Sequence, residues 1–337
     1  MRDGRLRAPS RPRAVSASAQ RVAEAVAALR RGEVIGLPTE TVYGLAADAA
    51  NPAAVQRIFA LKGRPAEHPV IVHIADASAL ETWAREVPGA ARALAAAFWP
   101  GPLTLILPRQ ATVSDVVTGG QDTVGLRCPA HPLALRLLRE FDGGLAAPSA
   151  NRFGHVSPTS AAHVRAEFGD AVPLILDGGD CEVGIESTIV DLSGATPRIL
   201  RPGRLGKAEL EAVIGPILEG VANDSPRVSG ALASHYAPHT RTELLTREEL
   251  GERARNFRAR GESVLALTLG SAVEGIDGRV LAADPDTYGH DLYAALRELD
   301  ARRADRLLVE APPRTRAWFA VLDRLGRAAA DAPEDVP

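Results

Sequence analysis

The stretch "LKGRPAEHPVIVHI", residues 61–74, joins the end of a helix to a buried strand, and its reading decides the fold. Upstream of it, Asn51-Pro52 is a helix start, with asparagine as N-cap and proline in the first turn. Val55, Ile58 and Phe59 then share one helical face, and Gly63 ends the helix, which puts Lys62 on its last turn facing a loop. After that loop "VIVHI", residues 70–74, is short, apolar and β-branched, the signature of a buried strand. A helix handing over to a buried strand within a few residues is the building unit of an α/β protein.

The same alternation extends in both directions. Val22, Val26 and Leu29 form a helical face closed by Gly32, and "VIGL" at 34–37 follows as a strand. Further strands are expected at 103–107, 123–127, 174–177, 187–192 and 198–201. They arrive both singly after helices and in neighbouring pairs, so the fold class is α/β with a twisted mixed sheet and flanking helices, not a purely parallel sheet. From 215 to 240 the periodicity fails amid Gly, Pro and Ser, which reads as a linker. Beyond it, strands at 263–270 and 306–313 flank a helix at 288–304, a small Rossmann-like α/β domain. The expected plan is a disordered basic tail at 1–17, a first domain at 18–214, a linker or lid at 215–240 and a C-terminal domain at 241–337.

Composition narrows the function. The chain has 337 residues, 46% hydrophobic and 24% charged, with a net charge of −3. These values suit a soluble two-domain protein and argue against a global electrostatic grip on nucleic acid. Cys128 and Cys181 form neither a zinc spacing nor a disulfide framework, which makes a reducing cytosol, and hence a cytoplasmic location, the default expectation. No apolar run is long enough for a bilayer span, so no membrane is expected.

Polar residues concentrate at strand ends, in 37–48, 61–74, 147–160 and 184–192. No phosphate-loop lysine motif, dinucleotide glycine motif, zinc-protease motif or serine-hydrolase elbow occurs. What remains is cationic and hydroxyl-rich: Lys62, Arg64, Arg127, Arg201, Ser149, Asn151, Ser157 and Ser187. Such a set neutralises phosphates and suits phosphoryl or nucleotidyl transfer, in which catalysis is mostly positioning and charge stabilisation. Lys62 stands out, because among 39 Lys and Arg residues it and Lys207 are the only lysines. A favourable helix-dipole contact is the plain alternative, but arginine would serve there equally, whereas a compact ammonium cannot be replaced by a planar guanidinium. Asn151 is equally compatible with a turn role.

The motifs "PTETVYGL", "KGRP", "HPVIVHI", "WPGPLT", "DTVGLRCPAHP", "APSAN", "SPT", "ILDGG", "GIESTIVDL" and "ILRPG" occur in the order of the YrdC-like domain. With "HYAP" at 235–238 and a second α/β domain, the chain resembles the long form of the threonylcarbamoyl-AMP synthases over residues 18 to 330. The resemblance implies a reaction in which L-threonine and bicarbonate give N-carboxythreonine. Its carboxylate then attacks the α-phosphate of ATP, pyrophosphate leaves, and the adenylate passes to a tRNA threonylcarbamoyl transferase. The family's K-x-R…S-x-N signature maps to Lys62, Arg64, Ser149 and Asn151, with Lys62 and Arg64 as the catalytic pair. The resemblance implies ATP binding by these four with Thr123, Ser157 and Arg201, and Mg²⁺ arriving with ATP. For L-threonine it implies Thr39, His73, Arg127 and Ser187. Tyr236, in the linker, is expected near the nucleotide as part of a cover over the site. Two rivals share the domain. A hydrogenase-maturation carbamoyl-adenylate former would bring cysteine-rich zinc modules, and a double-stranded RNA binder would need more basic charge. Weak tRNA contact is compatible with either reading.

Overall fold

The computed structural model describes residues 13–230, 232 and 234–330. A helix, Arg13–Arg30, opens it. The basic tail expected at 1–17 therefore overlaps this helix, and its remainder lies outside the described residues.

Nine strands build the large sheet: β1 (Ile35–Leu37), β2 (Gly44–Asp48), β3 (Ile71–His73), β4 (Leu103–Pro108), β5 (Thr123–Arg127), β6 (Leu145–Ala146), β7 (Thr188–Asp191), β8 (Arg198–Arg201) and β9 (Leu218–Glu219). Their order is β1-β2-β6-β3-β5-β4-β7-β8-β9. The pairs β3·β5, β4·β7 and β8·β9 are parallel and the others antiparallel, so the sheet is mixed. The second sheet holds β10 (Arg241–Leu245), β11 (Val264–Leu269), β12 (Gly278–Leu281) and β13 (Arg306–Glu310), all parallel, in the order β10-β13-β11-β12.

The structure corrects two expectations. Residues 174–177 are not a strand: only Ile175 bridges to Gly36, whose N–H and C=O bond Leu174 and Leu176. A Cβ on Gly36 would lie 2.9 Å from the Ile175 side chain, so glycine leaves room for that side chain at the bridge. The second correction concerns the linker, which begins inside the first sheet. β9 pairs with β8 before the chain leaves it.

Strand alternation gives the large sheet two unlike faces. Val72, Leu103, Leu105, Leu107, Val124, Leu126 and Val190 go to the helix-covered core. The opposite parity carries His73, Arg127, Thr104 and Ile189 in one row across the strands and Ile71 and Ile106 in the next. On that face linker residue Val228 packs with Ile106, Ile189, Leu200 and Ile71. The C-terminal domain is not a loosely tethered body. Val42, Val156, Ile185 and Tyr236 share one apolar cluster with Tyr288, Leu292, Tyr293 and Trp318.

Candidate active site

Local structure places Lys62 as its sequence predicts. The Asn51 side chain caps the helix Pro52–Lys62 by accepting from the amides of Ala53 and Ala54, and Gly63 closes it at φ 62. A left-handed residue there turns the chain at Lys62 without a Cβ penalty. The ammonium is buried, and its Nζ donates to the carbonyls of Ser149 and Asn151, both at 2.5 Å. This ties the helix to the loop that carries the rest of the K-x-R…S-x-N signature. Arg64 is also buried and donates to the carbonyl of Pro69 at 2.8 Å and the hydroxyl of Ser229 at 3.4 Å. Arg201 donates to the carbonyl of Ser187 at 3.0 Å, its hydroxyl at 3.1 Å and the carbonyl of Ser229 at 2.9 Å. Arg201 reaches the cleft because of a register shift opposite Ile189/Val190. There Arg201 pairs with Ile189 while Ile199 pairs with Val190, so Leu200 is the extra residue of a bulge.

Lys62, Arg64 and Arg201 are thus three buried cations that, among the described residues, hydrogen-bond to carbonyls and serine hydroxyls. Burial, followed by Arg64, holds the Lys62 ammonium well below its ordinary pKa. Burial, with Arg201 acting the same way, brings Arg64 down to about 10. Cations held under such strain are stabilised by an incoming anion.

A second row lies across the strand ends. His73 and Arg127 are register partners on β3 and β5, and Thr104 on β4 faces Arg127. The Thr104 hydroxyl is 2.8 Å from that of Ser187. Arg127 donates to Glu40 at 2.7 Å, and Glu40 also accepts the Ala130 amide. Thr39, next to Glu40, folds its hydroxyl onto the Val42 carbonyl at 2.6 Å. Burial first, and Arg127 second, push the His73 imidazole down to about 3, so it is neutral at physiological pH. Among the described residues, His73 Nδ1, Arg127 Nε, Asn151 Oδ1, His235 Nδ1 and the Tyr236 hydroxyl are buried without a hydrogen-bond partner, as are Thr118 Oγ1 and the Tyr288 hydroxyl. Buried polar atoms are rarely left so, and the first five belong to residues of the expected site or its neighbours, which suits a polar ligand.

The remaining expected residues divide. Ser157 donates to Glu186 at 2.6 Å beside the cleft. Ser149 contributes its carbonyl to Lys62. Asn151 uses its amide hydrogens on the carbonyls of Arg152 and His155, which keeps both of the readings its sequence allowed. Tyr236 is buried at φ 62, and Arg324 stands over its ring at 5.2 Å. Thr123 is not brought to the row of Arg127. It starts β5 where Arg127 ends it, ~13 Å away by strand rise, and lines a small cavity with Gln121, Val228 and Ser229. Cys128 is buried against the Ala75 carbonyl, and burial pushes its thiol up to about 11, an inert state.

Sequence reading does not single out Thr104, Glu40, Glu186, Tyr293 or Arg324. Thr104 had a usable signal as the one hydroxyl in "LTLIL". Tyr293 and Arg324 had none, because their partner Glu186 lies 107 and 138 residues away in sequence.

A mixed twisted sheet with a cleft of buried cations, beside a neutral row of hydroxyl, imidazole and guanidinium groups, defines a protein that binds a small polyanion together with a polar partner. Two family models match the chain, "Telomere recombination" over residues 27–203 and "Threonylcarbamoyl-AMP synthase, C-terminal domain" over residues 205–330. The threonylcarbamoyl-AMP synthase of Pyrococcus abyssi is 40% identical over 89% of this chain and 91% of its own. That of Bacillus subtilis is 39% identical over 94% of each. The crystal structure of Pyrococcus abyssi Sua5 complexed with L-threonine superposes with a TM-score of 0.86 at 39% identity, covering 91% of this chain and 94% of that one. The chain belongs to the threonylcarbamoyl-AMP synthase family.

Proposed function

We propose that the protein is a nucleotidyltransferase that makes L-threonylcarbamoyladenylate from L-threonine, bicarbonate and ATP, releasing pyrophosphate, and that the product serves threonylcarbamoyladenosine modification of tRNA. The observation that carries this reading is the convergence of Lys62, Arg64 and Arg201, buried and unmatched by any carboxylate hydrogen bond, beside the His73–Arg127–Thr104–Ser187 row.

In this account Lys62, Arg64 and Arg201 face the triphosphate. Ser149, Asn151, Ser157 and Tyr236 surround the rest of the nucleotide, and Thr123 lies at the edge where the linker closes. Arg127, held by Glu40, receives the threonine carboxylate, with Thr39, His73 and Ser187 around the amino acid. Threonine's amine condenses with bicarbonate, losing water. An oxygen of the new carboxylate then bonds to the α-phosphorus, the bond to the β-phosphate oxygen breaks, and pyrophosphate takes that electron pair. Lys62 shadows the negative charge that builds there. No protein nucleophile is required. Mg²⁺ is a companion of ATP: among the described residues no three His, Cys, Asp or Glu side chains converge to hold an ion. Bound with ATP, it would neutralise phosphate charge beside Lys62, Arg64 and Arg201. The linker acts as a cover, with Val228 seated among Ile71, Ile106 and Ile189 and Ser229 bound by Arg64 and Arg201. Excluding water protects N-carboxythreonine and the adenylate. The adenylate is handed to a tRNA threonylcarbamoyl transferase.

The test is pyrophosphate release by the full chain with each substrate omitted in turn. Release is expected only when threonine and bicarbonate are both present, and equal release without threonine refutes the assignment.

A further inference from the structure

Two helices of the C-terminal domain converge on one carboxylate of the first domain, Glu186. The helix Pro285–Ala301 lays His290, Tyr293 and Arg297 along one side at helical spacing. His290 Nδ1 lies 2.9 Å from the Glu182 carbonyl, and Arg297 donates to the Val156 carbonyl at 2.5 Å and pairs with Glu167 at 2.9 Å. A Cβ on Gly184 would come within 2.3 Å of the His290 carbonyl, so the backbones are in contact. Between these contacts the Tyr293 hydroxyl donates to Glu186 at 2.9 Å. From the helix Phe319–Ala328, Arg324 Nε donates to the same oxygen at 2.8 Å. The other Glu186 oxygen accepts the Ser157 hydroxyl at 2.6 Å.

A serine hydroxyl has one proton and two lone pairs. With its proton given to Glu186, Ser157 Oγ has only lone pairs left to offer a ligand. Such an oxygen matches a hydroxyl or amino hydrogen of a nucleoside, not a phosphate oxygen.

We propose that Arg324 and Tyr293 are positioning residues of the nucleotide site: by fixing the Glu186 carboxylate they make Ser157 Oγ an acceptor for a hydroxyl or amino group of the nucleoside, and this is what the C-terminal domain contributes to the reaction. The inference rests on the proposed function only in placing ATP beside Ser157.

Every element around Glu186 bears on its charge. Arg201 lies on β8, Lys62 ends its helix, His235 and Tyr236 come from the linker, and Tyr293, Asp323 and Arg324 come from the C-terminal domain. Burial alone would raise the carboxyl, but Arg324 first and Arg201 second hold it at about 2. Without Arg324, burial is opposed by Arg201 with less help, and the carboxyl moves up. Once protonated it can donate to Ser157, which reverses the role of that oxygen. The ionised form is lost as pH falls, so the defect grows on the acid side.

The experiment is steady-state kinetics of the full chain across about pH 6 to about pH 9, with ATP varied at saturating threonine and bicarbonate. Arg324→Met should raise KM for ATP ~10-fold or more at the acid end, narrowing towards the alkaline end, with kcat changed less. Tyr293→Phe should shift KM in the same sense by ~3-fold, and Arg324→Lys should recover most of the loss. Glu186→Gln should show a loss that no longer varies with pH. If Arg324→Met does not fold, Tyr293→Phe and Arg324→Lys carry the test. A folded Tyr293→Phe with wild-type KM at every pH, or a loss confined to kcat and independent of pH, overturns the proposal. Wild-type protein that releases pyrophosphate without threonine refutes the function proposed above and leaves this outcome distinguishable.

Discussion

The first domain buries Lys62, Arg64 and Arg201 with carbonyls and serine hydroxyls around them, while the C-terminal domain buries Arg324 between two carboxylates, Glu186 and Asp323. Both arrangements take positive charge out of water, but only the second is complete within the chain. A buried charge is costly unless paired. Cations without a carboxylate hydrogen bond suit an incoming anion, whereas the paired Arg324 is a fixed joint between domains.

Breaking the joint should cost the most in stability. Arg324→Ala leaves Glu186 buried opposite a cavity, and the loss expected for half of a buried pair is ~3–5 kcal/mol, read by denaturant unfolding. A loss below ~1 kcal/mol would mean the pair is as replaceable as a surface salt bridge. Next in size is Lys62→Arg. The ammonium sits 2.5 Å from two carbonyls, a space that a planar guanidinium does not fit. Turnover should fall ~10²-fold or more with the fold retained by circular dichroism. Near wild-type turnover would return Lys62 to a helix-dipole role.

The pH dependence of these cations separates them further. The Lys62 pKa is lowered, so its ammonium deprotonates at lower pH than a free lysine. Activity should accordingly decline as pH rises through that lowered value, and because bound phosphate favours the ammonium, ATP binding measured across that value should take up protons. Calorimetry in buffers of different ionisation heat reads this uptake, and a binding heat independent of buffer would contradict it.

A smaller effect is expected in the threonine row. Thr104→Val removes the hydroxyl facing Ser187 at nearly constant volume. It should raise KM for threonine ~10-fold and leave KM for ATP unchanged, the cost of one buried hydroxyl left without its partner. Equal effects on both substrates would place the row elsewhere in the reaction.

A separate effect, confined to low pH, is expected on acid stability. Burial depresses His73 and His235 to about 3. The unfolded chain binds protons that the folded one refuses from the ordinary histidine value of 6.5 down to about 3, so stability falls as pH falls through that window. Replacing His73 by Gln should flatten the melting temperature across it.

Local signals carried much of this into the sequence. Asn51, Pro52 and Gly63 frame a helix by capping chemistry alone, and "TVGLR" and "RILR" coincide with β5 and β8. Residues 174–177 read as a strand from their apolar run, which carries no record that only Ile175 reaches a partner, Gly36. β6 and β9, with two residues each, are too short to leave a period. Arg201 was legible as a candidate, but the bulge that turns it into the cleft was not. Tyr293 and Arg324 were invisible because their meaning depends on a tertiary contact with Glu186.

One site is expected to join threonine, bicarbonate and ATP into a single molecule. The direct measurement is mass spectrometry of the nucleotide product formed by the full chain from threonine, ATP and bicarbonate labelled with heavy carbon. The predicted result is an adenylate that contains threonine and one labelled carbon, formed in step with pyrophosphate. A nucleotide product lacking threonine, or one carrying no label, would contradict it.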